Sequence, residues 1–196
     1  MAMFETLIKC IQDTPITTFK RQYCASVDNI NLVPMSDVLE PNEVESLEKI
    51  YEKEFKREVN QYRTQCNVDP NDKVYRELLK LMPVVEEKFN VKLSDHLDAR
   101  LWHDTEGFSF APHTDNSDIE ISAQIYLNKN SPEHCGTSYF LHGLEQYDEY
   151  VNIWTSPYKT GSGYMLLNTN TEVHAMCHPV PKGCSRTSLY LNFRRK

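Results

Sequence analysis

The chain is 196 residues long, with 21 Lys and Arg against 28 Asp and Glu and a net charge of −7. That length suits a single domain, 1–196, with a substantial core. The acidic balance excludes a general attraction to nucleic acid or to an anionic membrane surface, while leaving room for a locally basic pocket.

The opening stretch MAMFETLIKCIQDTP carries Glu5, Lys9 and Asp13 and lacks the basic-then-apolar layout of a secretory signal. No uninterrupted apolar run approaches the ~20 residues that span a bilayer. The expectation is a cytoplasmic protein, monomer or homodimer, whose six cysteines are free thiols. Cys177 and Cys184 flank CHPVPKGC and invite a zinc site with His174 or His178, but the spacing matches no paired CxxC pattern.

In PNEVESLEKIYEKEFKREVNQYR, Val44, Leu47, Tyr51, Phe55, Val59 and Tyr62 share one helical face, and Pro41 suits a first turn. A second amphipathic pattern follows in DPNDKVYRELLKLMPVVEEKF, through Val74, Leu78, Met82, Val85 and Phe89, with Pro83 placed to kink or split it. Residues 1–92 thus read as mainly helical support.

From about Asn90 onward, short alternating segments are broken by Gly, Pro, Asn and Asp. Strands are expected near 97–104, 107–112, 118–127, 137–142, 150–154, 162–167, 172–177 and 186–193. The predicted fold class is α+β: N-terminal supporting helices packed against a β-sandwich or jelly roll over 93–196.

Two of these strands have a clean apolar face and a clean polar one. Ile119, Ile121, Ala123, Ile125 and Leu127 alternate with Glu120, Ser122, Gln124 and Tyr126. Thr187, Leu189, Leu191 and Phe193 alternate with Arg186, Ser188, Tyr190, Asn192 and Arg194. If the apolar faces meet the helices, the polar faces line the barrel, and a buried Arg186 calls for an anion. A carboxylate-binding cavity is the expectation.

His113 and Asp115, in APHTDNSDIEISAQIYLN, stand at the spacing that puts two side chains on one face of a strand. With His174, from LLNTNTEVHAMCHPV, they make two imidazoles and one carboxylate, the arrangement associated with non-haem Fe(II) oxygenases. HTD, then a strand ending in IYLN, then Gly136-Thr137, then EVHAM, then SRTSLYLNF form an ordered series. In that series the chain resembles the Fe(II)- and 2-oxoglutarate-dependent dioxygenases, in particular the branch that includes prolyl hydroxylases. The resemblance covers roughly 97–194 and implies that the core over 93–196 is a double-stranded β-helix, a jelly roll of cupin-like form.

The resemblance implies that His113, Asp115 and His174 hold Fe(II) and that Arg186 pairs with the C5 carboxylate of 2-oxoglutarate. Ser188 would complete an Arg-x-Ser pair, and the Tyr126 hydroxyl would meet the same carboxylate. It also implies O2 as cosubstrate, ascorbate as a reductant, and oxidative decarboxylation to succinate and CO2 coupled to hydroxylation of a prolyl peptide or a small metabolite. Asn192, Gln124 and Trp154 are candidate substrate contacts. His178, eight residues before Arg186, competes with His174 as the distal ligand. His103 is a weaker candidate for facing the cosubstrate. Rival readings are a cupin-like metalloenzyme without 2-oxoglutarate and a non-catalytic jelly-roll module of a binding or virion type.

Overall fold

The computed structural model describes residues 3–23, 26–54, 56–127, 133–141, 151–169 and 172–196. In chain order it runs α1 (Glu5–Asp13), β1 (Thr17–Tyr23), β2 (Ser26–Met35), α2 (Pro41–Lys53), β3 (Arg57–Asn60), β4 (Arg63–Asn67), α3 (Lys73–Leu78) and α4 (Leu81–Phe89). There follow β5 (Leu93–Thr105), β6 (Phe110–His113), β7 (Ile119–Tyr126), β8 (Ser138–Leu141), β9 (Val151–Thr155), β10 (Gly163–Leu167), β11 (Val173–Met176) and β12 (Ser185–Arg195).

The strands build an eight-stranded major sheet, ordered β1-β2-β10-β7-β12-β5-β4-β3, and a four-stranded minor sheet, β6-β11-β8-β9. Every recorded pairing is antiparallel. Tyr139 of the minor sheet packs with Ile30, Leu32, Tyr164 and Leu166 of the major sheet, so the two sheets face each other. This is the double-stranded β-helix that the resemblance implies, and all eight anticipated C-terminal strands are present.

The outer face of the major sheet carries the largest apolar cluster. Ile121, Ala123, Ile125, Leu189, Leu191 and Phe193 meet Leu7 and Ile11 of α1, Leu47 of α2, and Leu81 and Val85 of α4. Since successive residues on a strand point to opposite faces, burying these side chains against the helices turns Ser122, Gln124, Arg186, Ser188 and Tyr190 toward the minor sheet. The helices thereby orient the polar face inward.

The N-terminal 92 residues differ from the expected helical support, because they contain four strands among the described residues. The helical pattern from Val44 to Tyr62 breaks after Lys53. Leu47 and Ile50 are buried, but Val59 is 50% and Tyr62 40% exposed in the β3–β4 hairpin. Their match to the helical period carries no packing. The second pattern divides into α3 and α4, and Pro83 lies in the first turn of α4, where a missing N–H costs least.

Candidate metal and cosubstrate site

The distal histidine and the HxD pair come together through strand register. On β11, His174 is the direct partner of His113 on β6. Their ring centroids are 4.3 Å apart. Asp115 follows two residues after His113, and its Oδ1 lies 3.9 Å from His174 Nε2. One ligand atom from each of His113, Asp115 and His174 fits within a mutual span of 4.8 Å, the one such cluster among the described residues.

Both rings are oriented by their own strands. His113 Nδ1 is 2.9 Å from Ala111 O, and His174 Nδ1 is 3.4 Å from Glu172 O. A carbonyl only accepts, so each Nδ1 carries the proton and each Nε2 keeps its lone pair. Burial holds the His174 pKa down to about 4 despite the opposing pull of Asp115. The ring is therefore neutral at pH 7, as a metal ligand must be.

Asp115 is fixed from the major sheet. Ser122 Oγ donates to Oδ2, and Tyr190 OH donates to Oδ1 at 3.2 Å. Asn168 Nδ2 in turn donates to Ser122 Oγ at 2.9 Å. Burial and the Asp115 charge both push the Tyr190 pKa well up, which keeps its hydroxyl a donor. Such supporting hydrogen bonds orient a ligand and leave its other lone pairs for a cation.

The triad lines an open pocket with a cavity volume of about 50 Å³. Gln124, Thr137, Tyr164, Met176 and Arg186 line it together with Arg63, Trp102 and Phe110. Arg186 is 2% exposed. Its Nη1 donates to Asp104 Oδ2 at 3.1 Å and contacts Met176 Sδ at 3.2 Å; its Nη2 donates to Gln124 Oε1 at 3.0 Å and Thr137 Oγ1 at 3.1 Å. Burial opposes its charge, but Tyr126 and Asp104 more than reverse that, and its pKa is raised.

The remaining sequence candidates fall into different places. Gln124 belongs to the surroundings of Arg186, where its Oε1 also accepts from Thr137 Oγ1 and Tyr164 OH. Ser188 lies behind it, accepting from Gln124 Nε2 at 2.9 Å, and does not line the pocket. The Tyr126 hydroxyl, expected on the cosubstrate carboxylate, accepts from Thr137 N at 2.9 Å instead and sits outside the lining. Its ring backs the Arg186 guanidinium, 5.2 Å away. Gly136, next to Thr137, lets the chain lie close against Ser156, because a Cβ there would lie 1.6 Å from Ser156 O.

Asn192 is buried beside Ser122 with Oδ1 unpartnered, and Trp154 packs on Tyr139; neither lines the pocket. His178 is exposed and faces His134, so His174 alone of the two joins the cluster. His103 turns away from the pocket toward Tyr51 and Thr187. No described cysteine joins a metal-type cluster, and Cys10, Cys66, Cys135, Cys177 and Cys184 are free thiols.

Arg63 and Asp104 were not anticipated. Arg63 closes the amphipathic helical pattern in the sequence, whereas β4 carries it into the pocket lining. A basic residue flanked by the alternation of RTQCN was the available signal, and the overlapping helical period concealed it.

No family model matches the sequence, and no curated protein matches it. Solved structures do match. A Pseudomonas putida prolyl-4-hydroxylase superposes with a TM-score of 0.61 at 16% identity, over 84% of this chain and 92% of its own. The chain has the fold of the 2-oxoglutarate oxygenases. HygX from Streptomyces hygroscopicus, solved with nickel and 2-oxoglutarate bound, gives a TM-score of 0.62 at 13% identity, covering 84% and 83%. The α-ketoglutarate-dependent epimerase SnoN of nogalamycin biosynthesis gives 0.63 at 14%, covering 84% and 77%. One oxygenase fold thus spans a prolyl hydroxylase and an epimerase, so substrate must be argued from the site.

The donor set suits the metal and cosubstrate of that fold. Two imidazoles whose Nδ1 atoms face main-chain carbonyls, with one carboxylate beside them, match a 2-His-1-carboxylate centre. Two buried donors of pocket-lining side chains, Arg186 Nε and Trp102 Nε1, have no partner among the described residues. A ligand rich in acceptor oxygens would satisfy them.

Proposed function

We propose that this protein is an Fe(II)- and 2-oxoglutarate-dependent oxygenase in which His113, Asp115 and His174 hold the metal and Arg186 binds the C5 carboxylate of the cosubstrate. The observation that carries the reading is a buried arginine lining the same pocket as an open-sided His-Asp-His cluster. A cupin-like enzyme without 2-oxoglutarate would have no use for that arginine, and a binding module would have none for the triad.

With metal, 2-oxoglutarate and O2 bound, oxidative decarboxylation to succinate and CO2 would supply the oxidising power for hydroxylation. The protein's own residues supply geometry. The two main-chain carbonyls aim the imidazoles, while Ser122 and Tyr190 aim Asp115. Gln124 and Thr137, steadied by Ser188, Tyr126 and Tyr164, hold the edge of Arg186 in place. Met176 and the aromatic wall of Trp102 and Phe110 limit water around the reacting groups.

The whole chain, 1–196, acts as one domain in this reading, because β4 and the helices complete a site whose ligands lie in 93–196. We place it in the cytoplasm, with ascorbate as supporting reductant. No described helix is long and apolar enough to cross a membrane. The substrate is a prolyl peptide or a small metabolite, admitted past Phe110, which is 43% exposed at the pocket wall.

The test is anaerobic addition of Fe(II) and then 2-oxoglutarate, followed by oxygen. A new visible absorption band on the second addition, then succinate release, is the expected result. Protein that gives neither band nor succinate refutes the reading. Succinate release over a panel of proline-containing peptides and small metabolites then decides the substrate class.

A further inference from the structure

Three charged side chains stand in one row across the major sheet. Asp104 on β5 is the register partner of Arg186 on β12 and also of Arg63 on β4. Arg63 is 6% exposed and Asp104 fully buried. Two arginines against one aspartate leave one formal positive charge in a buried place, which calls for one anion.

The aspartate is not shared equally. Arg63 takes both of its oxygens, Nε to Oδ1 at 2.5 Å and Nη2 to Oδ2 at 2.9 Å. Arg186 reaches only Oδ2, at 3.1 Å. Trp102 and Phe108 each lie 4.0 Å from the Arg63 guanidinium carbon, so the aromatic rings hold it against Asp104. A bidentate fork is the stronger grip on a carboxylate. The negative charge of Asp104 is therefore committed to Arg63, and the charge of Arg186 is left for a ligand.

We propose that Arg63 is a positioning residue for 2-oxoglutarate: by gripping Asp104 through both oxygens it prevents that carboxylate from neutralising Arg186 and from repelling the cosubstrate's distal carboxylate. The inference rests on the proposed function of the pocket. It extends the cosubstrate site to an N-terminal strand that carries no metal ligand. It also gives the row a capacity of one carboxylate, so that the second carboxylate of a dicarboxylate is left for the metal end of the pocket.

Charge gives the test its sign. Arg63→Gln leaves Asp104 to Arg186 alone, with no net charge in the row. The double variant R63Q/D104N returns the row to one positive charge without the Arg63–Asp104 pair. Calorimetric titration of Mn(II)-loaded protein with 2-oxoglutarate reads binding without turnover, and titration of the metal-free protein with Mn(II) reads the triad separately.

We expect R63Q to bind 2-oxoglutarate at least about tenfold more weakly, which is the scale of one lost charge-assisted contact, with Mn(II) affinity unchanged. The double variant should recover most of that loss, and Arg63→Lys, which keeps the charge but not the fork, should fall between. Wild-type affinity in R63Q, or a double variant no tighter than R63Q, overturns the inference. If R63Q lacks a cooperative melt, the double variant and R63K decide: double-variant affinity near wild type, with R63K weaker, supports it, and tenfold weakening in the double variant overturns it. Wild-type protein that binds Mn(II) but not 2-oxoglutarate would instead refute the proposed function, a result read before any variant is made.

Discussion

His113 and His174 are direct cross-strand partners on β6 and β11, with ring centroids 4.3 Å apart. Sixty residues of chain separate them, yet one register fixes both. Replacing either by Ala removes one of the three proposed metal ligands, and metal titration of H113A and H174A should show loss of tight Fe(II) or Mn(II) binding. His178→Ala is the control: its ring is exposed and faces His134, so metal affinity should stay at wild type.

Arg186→Ala should raise the 2-oxoglutarate KM by more than tenfold, since charge-assisted hydrogen bonds contribute ~1.5–3 kcal/mol each. The fold should survive, because Asp104 keeps its bidentate partner Arg63. Steady-state kinetics with a melting curve separates lost binding from lost folding. An unchanged KM would remove Arg186 from the cosubstrate site.

Tyr190→Phe deletes the hydroxyl that donates to Asp115 Oδ1 at 3.2 Å and little else. Supporting hydrogen bonds of this kind are worth roughly 10–100-fold in metal affinity. A loss near the lower end is expected because Ser122 still holds the other oxygen. Calorimetry with Mn(II) on Y190F checks it.

Gly136→Ala drives a methyl group to 1.6 Å from Ser156 O, a contact only backbone movement relieves. Overpacking of this kind costs about 1–3 kcal/mol, or roughly 3–10 °C in Tm for a chain of this size. Thr137 should move with it, so 2-oxoglutarate binding should weaken as well. Thermal melting and the same calorimetric titration read the two effects.

Arg186 stands out in the sequence because β12 alternates over a long apolar face, whereas His113 and His174 lie on the four-residue strands β6 and β11 and Asp115 in the loop after β6, so only the HxD spacing and the order of the motifs pointed to them. Once Ile121 and Leu191 are assigned to the helix side, Ser122 and Tyr190 follow by alternation. Tyr126 keeps the inward face that alternation gives it, and what alternation could not show is that its hydroxyl accepts from Thr137 N at 2.9 Å. Arg63 was illegible because a helical period ran through β3 by coincidence. Only exposure, 50% at Val59 and 40% at Tyr62, reveals that no helix face is buried there. Strands β1 and β2 were missed as well, since neither carries a motif.

The row formed by Arg63, Asp104 and Arg186 also bears on how this fold could be shortened or grafted. A fragment beginning at residue 93 would keep every metal ligand and Arg186 itself. It would nevertheless lose the side chain that takes up the charge of Asp104, and it would bare the apolar face on which α1, α2 and α4 rest. Transplanting the His-Asp-His motifs alone would carry over the candidate metal ligands without the Arg63–Asp104 pair that balances the charge beside Arg186.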